Sequence, residues 1–127
     1  MEQYLMDTNV IIDYLGKKLP ITAIPFMNSV MDYQPTISVI TKIEVLGFNA
    51  PAKHQLLLSN FINDLTLLYL TNDVIETTIE IRKKYKTKLP DAIIGATALV
   101  NNLILITRNI SDFKNIQNLK VIDPHTI

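Results

Sequence analysis

The feature that most constrains this chain is an unbroken alternation of strand-like and helix-like segments. Gln3–Met6 is a short apolar run that reads as a buried strand. Asn9–Leu15 then places Val10, Ile11, Tyr14 and Leu15 at helical spacing ahead of Gly16, a natural C-cap. Ile24–Met31 reads as a second helix, with Pro25 in the first turn where a missing N–H is tolerated. Thr36–Ile40 is rich in β-branched residues and reads as a strand. Thr41–Gly47 and Pro51–Ile62 read as helices, the second with Leu56, Leu57, Phe61 and Ile62 on one face. Leu65–Leu70 returns to strand. Asn72 or Asp73 is the expected cap of a long helix running to about Tyr85, with Val74, Ile75, Ile79 and Ile81 apolar. Pro90 opens a helix that runs to about Asn101. Leu103–Thr107 and Lys120–Ile122 complete the pattern as strands. Strands separated by helices pair in parallel through crossovers. The expected fold class is therefore α/β, a three-layer α/β/α arrangement with a central mostly parallel sheet covered on both faces.

The chain has 127 residues and 48% apolar content, which suits one domain, 1–127, with one core. Its formal net charge is zero, so any contact with nucleic acid must be local rather than that of a basic coat protein. The absence of cysteine excludes disulfide frameworks, Cys-based zinc sites and thiol nucleophiles, and it fits a reducing cytosol. Met1–Tyr4 lacks the basic and apolar regions of a secretion signal. Ala92–Ile106, the most apolar stretch, is broken by Asn101-Asn102 and falls short of the about 20 apolar residues that span a bilayer. These features lead us to expect a soluble cytoplasmic protein with no membrane partner.

Four short acidic motifs lie at strand ends and helix starts in this pattern: Leu5-Met6-Asp7-Thr8-Asn9, Thr41-Lys42-Ile43-Glu44-Val45-Leu46, Leu89-Pro90-Asp91-Ala92 and Thr107-Arg108-Asn109-Ile110-Ser111-Asp112-Phe113. Sites in open parallel sheets form beyond the carboxyl ends of the strands. Carboxylates gathered there repel one another unless a cation neutralises them. Each acid also has a structural role open to it. Asp7 is placed to cap the helix that follows. Thr41-x-x-Glu44 matches a capping box. Asp91 would complement a helix macrodipole, yet its apolar surroundings suggest burial and hence a partner. Asp112 and Asn109 suit a turn. Thr8, Asn9, Thr107 and Asn109 supply hydroxyls and amides able to orient carboxylates, or simply to cap helices and turns.

Other constellations are weak. Three glycines cannot build a phosphate loop. His54 and His125 lie far apart and are expected at the surface, so a histidine-pair ribonuclease is not indicated. Arg82–Lys88 is a basic run, either a solvated helix end or a phosphate-contacting patch leading into Asp91. Phe26, Met27, Met31 and Tyr33 suit a core or an interface.

Taken together, the motifs resemble the PIN-domain family, and within it the small VapC-type toxins of toxin–antitoxin pairs. The resemblance runs from about Tyr4 to Asp123. Asp7-Thr8-Asn9 is similar to the family's first acidic motif, Thr41 to Leu46 to its second, Leu89 to Ala98 to its third, and Thr107 to Phe113 to its fourth. Many members carry an acid where this chain has Asn109. Either Asp112 supplies the fourth carboxylate, or the site uses three acids and a neutral ligand.

The resemblance implies a Rossmann-like fold and a Mg2+- or Mn2+-dependent endoribonuclease. Asp7, Glu44, Asp91 and Asp112 would be the catalytic and metal-ligating residues, with Thr8, Asn9, Arg108 and Asn109 at the substrate. It further implies an RNA substrate, a cognate antitoxin protein that covers the site, and a homodimer. Two other readings stay open. A phosphoryl-transfer protein of receiver or phosphatase type is disfavoured by Asn9, where such a phosphatase needs a second Asp, and by the absence of a receiver's acidic pair. A non-catalytic binding or scaffold domain would keep the acids for capping.

Overall fold

The computed structural model describes residues 3–127. In chain order the elements are β1 (Tyr4–Met6), α1 (Thr8–Leu15), α2 (Ile24–Asp32), β2 (Thr36–Ser38), α3 (Val39–Leu46), α4 (Ala52–Asn63), β3 (Thr66–Leu68), α5 (Asn72–Lys84), α6 (Leu89–Val100), β4 (Ile104–Ile106) and β5 (Val121–Ile122). The strands form one five-stranded, all-parallel sheet in the order β3-β2-β1-β4-β5. Winding runs outward from β1 in one direction through β2 and β3, then resumes at β4 on the other side. The direction therefore reverses between β1 and β4, the place where parallel sheets open a crevice at their carboxyl edge.

Helices cover both faces of the sheet, and the interior strand β4 is accordingly apolar and buried throughout, whereas β2 carries Thr36 and Ser38 and β3 opens on an exposed Thr66. Successive residues of a strand point to opposite faces. Met6 and Ile106 accordingly pack with Val10, Ile11, Met27, Val30, Leu58 and Ile62 of α1, α2 and α4. Leu5 and Leu105 pack with Val74, Ile81, Ala92, Ile94 and Ala96 of α5 and α6, together with Phe113 and Ile116. Met27 is fully buried, and Phe26 meets Tyr4 edge-on at 5.4 Å, so this part of α2 serves the core. Tyr33 is exposed.

Several expected boundaries move for identifiable reasons. The strand expected to reach Ile40 stops at Ser38, whose Oγ accepts the Ile40 N–H at 3.1 Å and caps α3. Val39 and Ile40 are thereby drawn into a helix despite their β-branched side chains, and Ile40 packs on the α5–α6 side. Thr71, rather than Asn72 or Asp73, caps α5 through its Oγ1. In α4 the buried residues are Leu58 and Ile62, while Leu56 and Leu57 are exposed. In α5 they are Val74, Thr78 and Ile81, leaving Ile75 and Ile79 outside. Among the described residues no helix is long and apolar enough to cross a membrane.

Candidate active site

Asp7 stands at the reversal point. Its N–H continues the β1–β4 ladder to the Ile106 carbonyl at 2.9 Å, which fixes the backbone where the side chain departs. Only 5% of the residue is exposed. The carboxylate accepts from Thr8 N–H at 2.8 Å, Thr107 Oγ1 at 2.8 Å and Asn9 Nδ2 at 3.2 Å. Capping and site-building are thus the same geometry here: Asp7 caps α1 with one oxygen and turns the other to β4. Burial pushes its carboxyl above the usual range. The three donors pull it back, and the charge of Glu44 pushes it further up.

Glu44 does not form the expected capping box. Because α3 starts at Val39 under Ser38, Thr41 lies inside the helix, fully buried, with its Oγ1 unpaired. Glu44 instead accepts a 2.7 Å hydrogen bond from Thr8 Oγ1. Thr8 therefore joins two acids, giving its N–H to Asp7 and its hydroxyl to Glu44.

Asp91 lies in the first turn of α6 and is half-buried. Its carboxyl is pushed up to about 6, first by burial, then by the negative charges of Asp112 and Asp7, with Glu44 adding a little and Lys88 opposing. Asp112 is exposed at the end of a 3-10 turn, Ile110–Asp112. That turn leads into Phe113 and Ile116, which lie close over α6: a side chain at Gly95 would meet Ile116 at 3.3 Å. This close approach carries Asp112 into the field of Asp91. Asp91 thus feels each of the other three acids, which approach it from different elements.

The neutral residues weld the two sides of the crevice. Thr107 Oγ1 donates to Asp7 and accepts from Asn109 N–H at 3.1 Å and Asn9 Nδ2 at 3.4 Å. Asn9 Oδ1 accepts Arg108 N–H at 3.0 Å. Asn9 and Thr107 hence fix the Asp7 carboxylate, while Asn109 enters through its backbone and starts the turn that carries Asp112.

The donor set suits a hard divalent cation, being all carboxylate oxygens in a region where burial first, and then the neighbouring acids, raise Asp91. Among the described residues no three His, Asp or Glu side chains stand at ligand spacing, so the acids are gathered but not closed into a cage. Mg2+ tolerates this, because it keeps several waters and commonly takes one or two carboxylates.

One cluster escaped the sequence reading. Asp13 on α1 is only 3% exposed and its two oxygens accept from Arg108 Nη1 at 3.1 and 3.0 Å, with His125 Nε2 at 3.0 Å from Oδ2. Arg108 is therefore anchored at one nitrogen while its side chain stays half exposed. His125, expected as a plain surface residue, is partly buried against the same carboxylate. The signal in the sequence was a lone acid three residues after Val10, on the buried stripe of α1.

The model of the PIN domain matches residues 4–119. The chain belongs to the PIN-domain family. Members of this family are generally nucleases. A toxin–antitoxin complex from Klebsiella pneumoniae is similar at 34% identity and TM-score 0.74, covering 96% of this chain and 98% of that one. VapBC-1 from nontypeable Haemophilus influenzae is similar at 25% identity and TM-score 0.75, covering 95% and 97%. DNA-bound VapBC from Salmonella typhimurium shares the fold at 24% identity and TM-score 0.82, covering 98% and 99%. No curated protein matches the sequence.

Proposed function

We propose that this PIN domain is a divalent-metal-dependent endoribonuclease and the toxin of a toxin–antitoxin pair. The observation that supports the reading is Thr8 joining Asp7 and Glu44 at the β1–β4 crevice, with Asp91 in the electrostatic reach of both and of Asp112. Asp7 and Asp91 would hold Mg2+ or Mn2+, with Glu44 and Asp112 beside them. When bound, the ion supplies an acidified water and charge neutralisation at the scissile phosphate. The chain's own residues do the rest. Thr107 and Asn9 keep Asp7 in one orientation, and Thr8 keeps Glu44 beside it. Arg108, steadied by Asp13, offers its remaining guanidinium donors to an RNA phosphate.

The toxin assignment is supported by relatives captured as toxin–antitoxin complexes, one of them 34% identical over nearly the whole chain. An antitoxin partner is further supported by exposed Phe48 and Leu57, which line an apolar groove with Ile12 and Leu15. A homodimer and a cytoplasmic location belong to the same reading. The test is cleavage of purified RNA with and without Mg2+ or Mn2+. Cleavage should need the ion, leave 5′-phosphate and 3′-hydroxyl ends, and vanish in folded Asp7→Asn and Asp91→Asn variants. Products ending in 2′,3′-cyclic phosphate, or variants that cut at the native rate, would contradict the proposal.

A further inference from the structure

Beside the four carboxylates lies a cleft of about 460 Å³. Its lining includes Lys86 and Lys88 on the segment between α5 and α6, Asp91 on α6, and Ser111, Asp112 and Asn115 on the segment after β4. The volume falls in the range of about 300–1,000 Å³ usual for small-ligand pockets. Its walls are braced from behind. Arg82 Nη1 donates to the Thr87 carbonyl at 2.7 Å, holding the segment that carries both lysines. Across the gap, Gln117 N–H donates to Tyr85 Oη at 3.0 Å, and Lys84 Nζ donates to Gln117 Oε1 at 3.2 Å. The basic run is thereby divided. Arg82 and Lys84 are spent on the brace. Among the described residues the side chains of Lys86 and Lys88 make neither a hydrogen bond nor an ion pair, and both residues are exposed at the cleft. Ser111 and Asn115 also make no hydrogen bond among the described residues, and both are exposed there.

We propose that this cleft seats one nucleotide of single-stranded RNA next to the bond that is cut, with Lys86 and Lys88 on its outer phosphate and Asn115 and Ser111 on its base edge and sugar. This rests on the ribonuclease reading and deepens it. Charge across the cleft is graded, from the Asp91 and Asp112 carboxylates through Lys88, which bears on Asp91, to Lys86. A chain carrying phosphates at both ends of one nucleotide matches that gradient: one phosphate lies with the cation at the acids, and the next falls to the lysines. An amide presents a donor and an acceptor together, as a base edge requires, and a hydroxyl suits the ribose 2′-OH. The braced walls mean that little ordering is left for binding.

The test uses three readouts on the full chain. Lys86→Ala should raise KM for RNA about threefold with kcat within about twofold, and adding Lys88→Ala should bring the rise in KM to about tenfold or more. The double variant should also flatten the slope of log affinity against log salt by about 0.7, the release expected for one single-strand phosphate contact. In cleavage of a randomised RNA pool, Asn115→Ala should change nucleotide preference about fivefold at a single position next to the cut and nowhere else. Unchanged KM, salt slope and preference would overturn the subsite while leaving the nuclease intact. Binding of a short single-stranded RNA to the Asp7→Asn protein separates the two readings. If RNA binds there and is lost with the lysines, yet the native chain cuts nothing, the subsite stands and the nuclease falls. An acidic peptide that binds where RNA does not would assign the cleft to a protein partner and overturn the proposal.

Discussion

Asp91→Asn should make the metal-free protein more stable at neutral pH, although it removes a residue at the heart of the site. Among the described residues the Asp91 carboxylate accepts no hydrogen bond, so its charge is opposed by burial and by three acids, with only Lys88 in support. Raising its pKa from 3.8 to about 6 corresponds to about 3 kcal/mol at full value. The group is partly exposed, and solvent screening reduces this to about 1 kcal/mol. The α6 macrodipole returns a further fraction, about 0.3–1 kcal/mol. The net expectation is a gain of up to about 0.7 kcal/mol, or about 3 °C in Tm for a chain of this size.

The sign fixes the pH window. The acid's pKa is raised in the folded state, so folding is favoured by its protonated form. That contribution is full below about pH 4 and is lost as pH rises through about 6. The variant's advantage should therefore be largest at pH 7–8 and disappear at pH 4. Mg2+ should reverse the order by stabilising the native chain alone. The assay is thermal unfolding across pH, with chelator and with Mg2+. A variant less stable than the native chain at pH 7.5 without metal would refute the repulsion argument.

Two further substitutions probe the scaffold. Asp13→Ala leaves Arg108 and His125 without their shared acceptor and should cost about 1–3 kcal/mol in urea unfolding. It should also weaken RNA binding, because Arg108 loses its anchor. Ser38→Ala removes the α3 cap and should cost about 1 kcal/mol, whereas Thr41→Val, at the hydroxyl that caps nothing, should cost nothing or stabilise.

The parallel architecture was legible because apolar or β-branched runs alternate with helical spacing along the whole chain. The strand ends that carry Asp7 and Thr107 were legible too, since polar residues abruptly follow Met6 and Ile106. The β2–α3 junction was not. Val39 and Ile40 favour a strand locally, and only the hydroxyl of Ser38 and packing against α5 and α6 turn them into a helix. That one error also produced the capping box at Glu44, whose true partner, Thr8, lies 36 residues away. Long-range polar contacts leave no periodic trace, which is why Asp13, Arg108 and His125 could not be joined from sequence. The fourth motif was readable as a motif, but its contacts needed the fold: Asn109 N–H donates to Thr107 Oγ1, and the charge of Asp112 reaches Asp91.

The claim on which the rest depends is that these acids capture a divalent ion. Titration of Mn2+ into the metal-free protein, followed by the loss of free-ion resonance, tests it without reference to any substrate. The account predicts saturable binding in the native chain and its loss in Asp7→Asn and in Asp91→Asn. A native protein that takes up no Mn2+, or variants that bind it equally well, would contradict it.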